Sequence, residues 1–192
     1  MSTFNGSIAL KDFHCLNEST FLGMASLECV DGESIYAQGS VAVDTVTIRR
    51  SVRCQGPLKG RKLKCSTLQV HGEVILDDLQ TDSLEILGRA ELYNAKVGAR
   101  THLSGDAIVK NSILNGIVLH TRKAEFSNCQ INSITVEKDS SIIYPPSKNM
   151  LVLSNGTQIL GDIIFKSEGA ELHIDTTVTI KGKIINAKII TA

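Results

Sequence analysis

Aromatic residues are scarce in this chain, and their scarcity limits the core that it can build. Among the 192 residues there are five phenylalanines, three tyrosines and no tryptophan. Apolar residues still make up 42% of the sequence, with many small, β-branched and aliphatic side chains among them. A thin core of stacked Val, Ile, Leu and Ala fits this composition better than a thick globular core.

An excess of charge of one sign is also missing. Twenty lysines and arginines balance twenty aspartates and glutamates, so the net charge does not indicate nucleic acid, an anionic membrane or an acidic polymer as a partner. The N-terminal residues show no secretion signal, and no apolar run approaches the roughly eighteen residues of a membrane helix. We expect a cytoplasmic protein without a nucleic-acid or membrane partner.

Closely spaced cysteines are absent as well. The cysteines are odd in number and widely separated, with no CxxC pair and no histidine at zinc-finger spacing: Cys15, Cys29, Cys54, Cys65 and Cys129. We interpret all five as free, buried thiols in a reducing compartment.

What the sequence does contain is one repeat of about 17 residues. Ser2-Thr-Phe-Asn-Gly6 recurs as Ser19-Thr-Phe-Leu-Gly23, and glycine then returns 16 or 17 residues on, as a marker of each repeat, at Gly39, Gly56, Gly72, Gly88 and Gly105. The same register continues at Arg122 and Asp139 without the glycine. A fixed period of this kind is typical of a solenoid.

Each repeat carries three short pairs of apolar residues. Counted from the marker they lie at −4, −2, +2, +4, +7 and +9, as in Leu84, Ile86, Ala90, Leu92, Ala95 and Val97. Alternation within a pair predicts a strand with one buried face, and the change of phase between pairs predicts a corner. The sequence therefore predicts an all-β fold, a single-domain triangular parallel β-helix over residues 1–192, whose coils stack about 4.8 Å apart.

Polar and glycine columns mark two of the corners. The marker glycines form one column, and Asn94, Asn111 and Asn128 form another. Both residue types tolerate the left-handed backbone that a tight corner needs. The asparagines could also form an amide ladder along the stack, and a ligand-binding role is the remaining alternative.

Two adjacent prolines interrupt the repeat. Pro145 and Pro146 cannot donate to a strand ladder, so we expect an inserted loop near residues 144–150. Beyond it the repeat resumes with a spacing of 21 residues, with Gly161 and Gly182 as markers. The total is about eleven coils, which make a rod roughly 50 Å long.

Elements of catalytic or cofactor chemistry are missing. The chain has no P-loop and no GxGxxG element. The histidines occupy different columns of the repeat: His14, His71, His102, His120 and His173. Some parallel β-helices cleave polysaccharides with stacked carboxylates, for which the candidates are Asp77, Asp78, Asp82 and Glu85. Because no aromatic platform for sugar accompanies them, we predict no catalytic residues, no cofactor and no metal.

A basic run occupies about one coil and contains no acidic residue. It consists of Arg49, Arg50, Arg53, Lys59, Arg61, Lys62 and Lys64. It could bind an anionic partner, or contact the acidic stretch of a neighbouring rod. The alternative is a solvated wall without a partner.

The two ends of the predicted rod are rich in apolar residues. Natural solenoids cover their ends with a helix or a polar cap, whereas here apolar residues crowd both ends: Phe4 and Ile8 at the N-terminus, and Ile184, Ile185, Ile189 and Ile190 at the C-terminus. Ends of matching cross-section can pair, and a contact that repeats without closing produces a filament. We predict self-association into an oligomer or filament, with other proteins as further partners.

The Gly-x-[Val/Ala]-x-[Leu/Val] coils, which lack a nucleotide site, resemble those of the bactofilins, bacterial polymer-forming cytoskeletal proteins. The resemblance implies a right-handed coil that polymerises end to end without nucleotide and serves as a cytoplasmic scaffold. A second hypothesis is a solenoid binding module that recognises a protein, a glycan or another anionic partner on a flat wall. A carbohydrate-active β-helix enzyme is the third.

Overall fold

The computed structural model describes residues 2–138 and 149–191, which fold into strands joined by tight corners. Those two ranges contain no helix. The strands are β1 (Ser2–Asn5), β2 (Ile8–Lys11), β3 (His14–Leu22), β4 (Ala25–Gln38), β5 (Val41–Gln55), β6 (Leu58–His71), β7 (Val74–Leu87), β8 (Ala90–Tyr93), β9 (Lys96–Ser104), β10 (Ala107–Lys110), β11 (Ile113–His120), β12 (Lys123–Ser127), β13 (Gln130–Val136), β14 (Met150–Ser154), β15 (Gln158–Ile159), β16 (Ile163–Phe165), β17 (Ala170–Ile174), β18 (Thr179–Ile180), β19 (Ile184–Ile185) and β20 (Ala187–Thr191).

All strand pairs are parallel, and their register builds three walls. Wall A contains the segment that follows the marker residue in each coil, such as 74–77. Wall B contains the segment after that, such as 79–81. Wall C contains the segment before the next marker, such as 83–87. Pairing from Ile8 to Ile189 gives wall A eleven strands, and pairing from Ser2 to Ile184 gives wall C the same number. The predicted parallel β-solenoid of about eleven coils is confirmed.

The core is one continuous apolar column inside the three walls. The residues predicted to point inward in one repeat are all buried, from Leu84 and Ile86 on wall C to Val97 on wall B. Long strands such as β7 bend around the corners between walls. Buried and outward residues therefore alternate along each wall, and the alternation shifts by one residue at the corner. Period-two alternation in the sequence therefore locates the core faces correctly.

The two corner columns have the backbone conformation that their residues favour. Asn94, Asn111 and Asn128 have φ values of 54°, 52° and 52°, in the left-handed region. At the other corner, a Cβ on Gly88 would lie 2.3 Å from the carbonyl oxygen of Gly72 in the coil below. The predicted corner geometry is therefore present in both columns.

An amide ladder forms only in part. Asn128 donates from Nδ2 to Oδ1 of Asn111 at 2.9 Å, whereas Asn94 donates to the carboxylate of Asp77 at 2.6 Å. The left-handed corner, which recurs along the column, is thus the more general reason for asparagine there.

The longer coils differ from the prediction in their markers. Ala124 pairs with Leu151 and Leu151 with Leu172, so Asn149 occupies the marker position of the coil that stacks on Arg122. The predicted marker Asp139 lies outside the described residues. Gly161 and Gly182 are not at the marker corner, because they lie between wall B and wall C.

Of the predicted loop near 144–150, residues 144–148 lie outside the described ranges. At its end, Met150 already belongs to β14 and pairs with Lys123. The right-handed sense of the coil stays a prediction.

Candidate assembly ends and basic surface

The N-terminal end is an aromatic cluster with one open side. In the described part of the chain, β1 pairs with β3 alone and β2 with β4 alone. Phe4 stacks on Phe21 with ring centroids 5.1 Å apart and meets Phe13 edge-on at 6.3 Å. Phe21, one coil inside, is buried, whereas Phe4 and Ile8 are only half-buried. Interior side chains and strand edges are therefore both accessible at this end.

The C-terminal end shows the same combination. Within the described ranges, β18, β19 and β20 each have one neighbour, toward the centre of the rod. Ile189 continues the inward column of Leu151 and Leu172, yet it is 48% exposed where Leu172 is 0% exposed. Within the described residues, Leu172 has a paired strand on each side, whereas Ile189 has one on a single side.

The four predicted C-terminal isoleucines separate into two pairs. Ile184 and Ile189 point inward and form part of the end face, since they align with buried Ile163 and Leu172. Ile185 aligns with Ile164 and Ile190 with His173, which lie on the outer surfaces of wall C and wall A. Ile185 and Ile190 are therefore outside the end face that the sequence assigned to all four.

The basic run surrounds the rod and does not form one patch, because a coil turns through all three walls. The structure places Lys59 and Arg61 on wall A, Lys62 at the asparagine corner, Lys64 on wall B, Arg49 and Arg50 at the corner between walls B and C, and Arg53 on wall C. A stretch that is continuous in sequence is thus divided in space.

Ion pairs neutralise part of the run. Three members bind acids on neighbouring coils: Arg50 with Glu33 at 2.6 Å, Lys59 with Glu73 at 2.6 Å and Arg61 with Asp44 at 2.8 Å. The Arg61 contact is bidentate, and its hydrogen bonds lower the pKa of the Asp44 carboxyl. These pairs are largely exposed, so each adds little stability, but they reduce the positive charge available to a partner.

Arg49 and Lys64 remain together in an open groove of about 570 Å³ along wall B. We call it the wall B groove; its polar lining is formed by Thr47, Arg49, Lys64, Ser66, Gln80, Thr81, Asp82 and Lys96. Lys96 was not among the basic residues predicted from the sequence; it lies two coils from Lys64 in the same outward column. The position eight residues after each marker glycine identifies that column, as in Lys64 after Gly56 and Lys96 after Gly88.

Two histidines come together despite their different columns in the sequence. His102 and His120 lie on adjacent coils of wall C with ring centroids 4.9 Å apart. Burial, and then the neighbouring His120, lower the pKa of His102. In residues 2–138 and 149–191, no group of three or more His, Cys, Asp or Glu side chains has the arrangement to hold a metal ion.

The four candidate carboxylates do not form one site. Asp77 ends a wall A strand and accepts from Asn94, Asp78 lies at the asparagine corner, Asp82 lies between walls B and C, and Glu85 lies on wall C. Asp82 accepts from Ser66 and Glu85 from Gln69. Each of these three hydrogen-bonded carboxylates thus has a neighbour in the adjacent coil.

The cysteines are all free, but one departs from the prediction of burial. Cys15, Cys54, Cys65 and Cys129 are buried. Burial raises the pKa of Cys54 to about 12 and that of Cys65 to about 11, so both are protonated thiols in the core. Cys29 is exposed because it occupies the asparagine corner, at a φ of 51°.

No family model matches the chain, and no curated protein or solved structure is significantly similar to it. The described residues include no helix long and apolar enough to cross a bilayer. A functional assignment therefore depends on the geometry of this chain.

Proposed function

We propose that this chain is a non-enzymatic structural protein that self-assembles through the two ends of its solenoid. Assembly needs no nucleotide, and the product is an oligomer or filament that acts as a scaffold, in the manner of a bactofilin. We place it in the cytoplasm, where its free thiols would stay reduced. We further propose that other proteins bind along the rod.

The observation that carries the proposal is the exposure of core positions at both ends. Ile189 is 48% exposed in a column whose members from Ala25 to Leu172 are buried, and Phe4 leaves one face of an aromatic cluster open. The strands that carry these residues also have unpaired backbone edges in the described ranges. Exposed edges of this kind template pairing with another chain.

The two ends also have compatible dimensions. Wall A advances by 17 residues from Ile8 to Ala25 at one end and from Leu172 to Ile189 at the other. Each end presents edges of the same three parallel walls, so a second copy can continue their hydrogen-bond ladders. Such a contact is heterologous and does not close, which is the arrangement that produces filaments.

The first test replaces one residue on the end face and one beside it. Ile189→Lys places a charge where a second copy would bury an isoleucine, worth about 1.5–3 kcal/mol, and should raise the concentration needed for assembly about ten-fold or more. Ile190→Lys is the matched control, because it lies on the same strand but on the outer surface of wall A. Light scattering and negative-stain electron microscopy measure both variants.

Equal loss of assembly in the two variants would contradict an end-face contact. Melting temperatures show whether either replacement unfolds the last coil instead. Phe4→Lys provides the equivalent change at the N-terminal end.

A mixing experiment determines the polarity of the contact. If the N-terminal end of one copy binds the C-terminal end of the next, Phe4→Lys and Ile189→Lys are each monomeric alone, but a mixture forms dimers through the two intact ends. If like ends pair, each variant forms dimers by itself. If Phe4→Lys and Ile189→Lys each assemble by themselves to the same extent as the wild type, assembly uses a surface other than the two ends.

A further inference from the structure

The wall B groove follows the rod axis across four coils. The groove is lined by one outward-facing column of wall B and by the corner between walls B and C. From coil to coil, the residues of that column are Thr47, Lys64, Gln80 and Lys96. At about 4.8 Å per coil, the groove is about 14 Å long and the two lysines are about 10 Å apart. Its length suits an extended chain laid parallel to the rod.

Three cations supply the charge of the groove. Arg49, Lys64 and Lys96 are exposed, and none takes part in an ion pair found among the described residues. This distinguishes them from Arg50, Lys59 and Arg61, which bind acids on neighbouring coils. The groove therefore brings together two cations of the basic run that lack such a pair, Arg49 and Lys64, and a third from outside it, Lys96. The other members of the run without such a pair, Arg53 and Lys62, lie elsewhere on the rod.

The one acidic side chain in the groove limits which anion can bind. Asp82 lies in the same lining and accepts a hydrogen bond from Ser66 at 3.0 Å. A nucleic acid strand carries a charge on every unit and would meet repulsion there, and the lining residues include no aromatic ring on which a base could stack. A peptide can place a neutral residue beside Asp82 and its carboxylates beside the cations.

Hydrogen-bonding groups in the groove also suit a peptide. The Gln80 amide and the Thr47 hydroxyl can both donate and accept, as backbone N–H and C=O groups require. The Ser66 hydroxyl donates to Asp82 and can still accept from a backbone N–H. A peptide in the extended polyproline II conformation has three residues per turn and rises about 3.1 Å per residue. Carboxylates three residues apart therefore lie on one face, about 9 Å apart, close to the Lys64–Lys96 separation of about 10 Å. The guanidinium group of Arg49 can hold a carboxylate through two hydrogen bonds.

We propose that the wall B groove binds an extended acidic peptide segment of a partner protein, with carboxylates at every third residue. This surface is on the side of the rod, so a bound segment leaves both end faces free for self-assembly. The inference does not depend on the proposed scaffold function.

The test uses a fluorescein-labelled Gly-Ser peptide with aspartate at every third residue, measured by fluorescence anisotropy on the full chain. We expect binding that weakens with salt, since exposed charges are screened. The double variant Lys64→Glu with Lys96→Glu should weaken binding about ten-fold or more, the equivalent of about 1.4 kcal/mol. Arg53→Glu with Arg122→Glu is the control, because it makes the same charge change outside the groove.

Failure of the wild-type chain to bind the peptide would overturn the proposal, as would equal weakening by the control variant. Equal binding of a peptide with asparagine in place of aspartate would show that charge is not recognised. A single-stranded oligonucleotide or a sulfated glycan that binds where the peptide does not would assign the groove to another class of ligand. Melting curves confirm that both double variants fold.

Discussion

Individual residues are constrained most tightly at the corners, where consecutive coils touch through their backbones. Gly88 has a φ of 147°, and an added Cβ would lie 2.3 Å from the backbone of Gly72. Gly88→Ala should therefore destabilise the protein by about 2 kcal/mol or more. Gly98→Ala is the control: its Cβ would lie 3.4 Å from the Asp82 side chain and no closer than 3.9 Å to any backbone atom of the neighbouring coil. Urea denaturation of both variants measures the difference, and similar losses would contradict this account of the corner.

The asparagine corner offers a stabilising replacement at Thr45. This β-branched residue has a φ of 58°, a conformation that costs most residues other than glycine about 1–2 kcal/mol. Thr45→Asn should raise the free energy of unfolding by about 1 kcal/mol, because asparagine tolerates this backbone better. Thr47→Asn, two residues on and outside the left-handed region, should bring no gain. A thermal melt that ranks Thr47→Asn above Thr45→Asn would refute the argument.

At the scale of elements, adjacent coils place ionisable groups side by side on one wall. His102 lies beside His120, with Glu85, Arg100 and Glu137 as further charged neighbours, and its pKa is lowered from 6.5 in the folded state. The unfolded chain therefore binds this proton more readily, so stability falls as pH drops below about 6.5. We expect wild type to lose more stability than His102→Gln between about pH 7.5 and 5.5, above the carboxylate range. Urea midpoints at both pH values test this, and parallel losses would contradict it.

The same elements show how far the sequence predicts the fold. The inward positions of a repeat, such as Leu84 and Ile86, follow from period-two alternation, because burial acts on each strand locally. The meeting of His102 with His120 and of Lys64 with Lys96 depends on register between coils, which varies between 16 and 17 residues. Gly161 was assigned to the wrong corner because the last coils are longer and keep different corner residues.

At the scale of the whole molecule, each coil of the solenoid pairs its strands and packs its apolar side chains against the next coil. At the two ends that the structure describes, the same strand edges and apolar side chains have a partner on one side only. The exposed interior of the last coil at Ile189 and the open aromatic cluster at Phe4 were predictable as apolar ends. The division between end face and outer surface was not, since Ile189 and Ile190 differ only in the direction of the strand pleat. That division decides which replacements should block assembly.

The most direct measurement of the central proposal is negative-stain electron microscopy, combined with light scattering, over a range of protein and salt concentrations without nucleotide. The proposal predicts oligomers or filaments that grow with protein concentration, with a width equal to that of one rod. A monodisperse monomer at every concentration would contradict assembly through the solenoid ends.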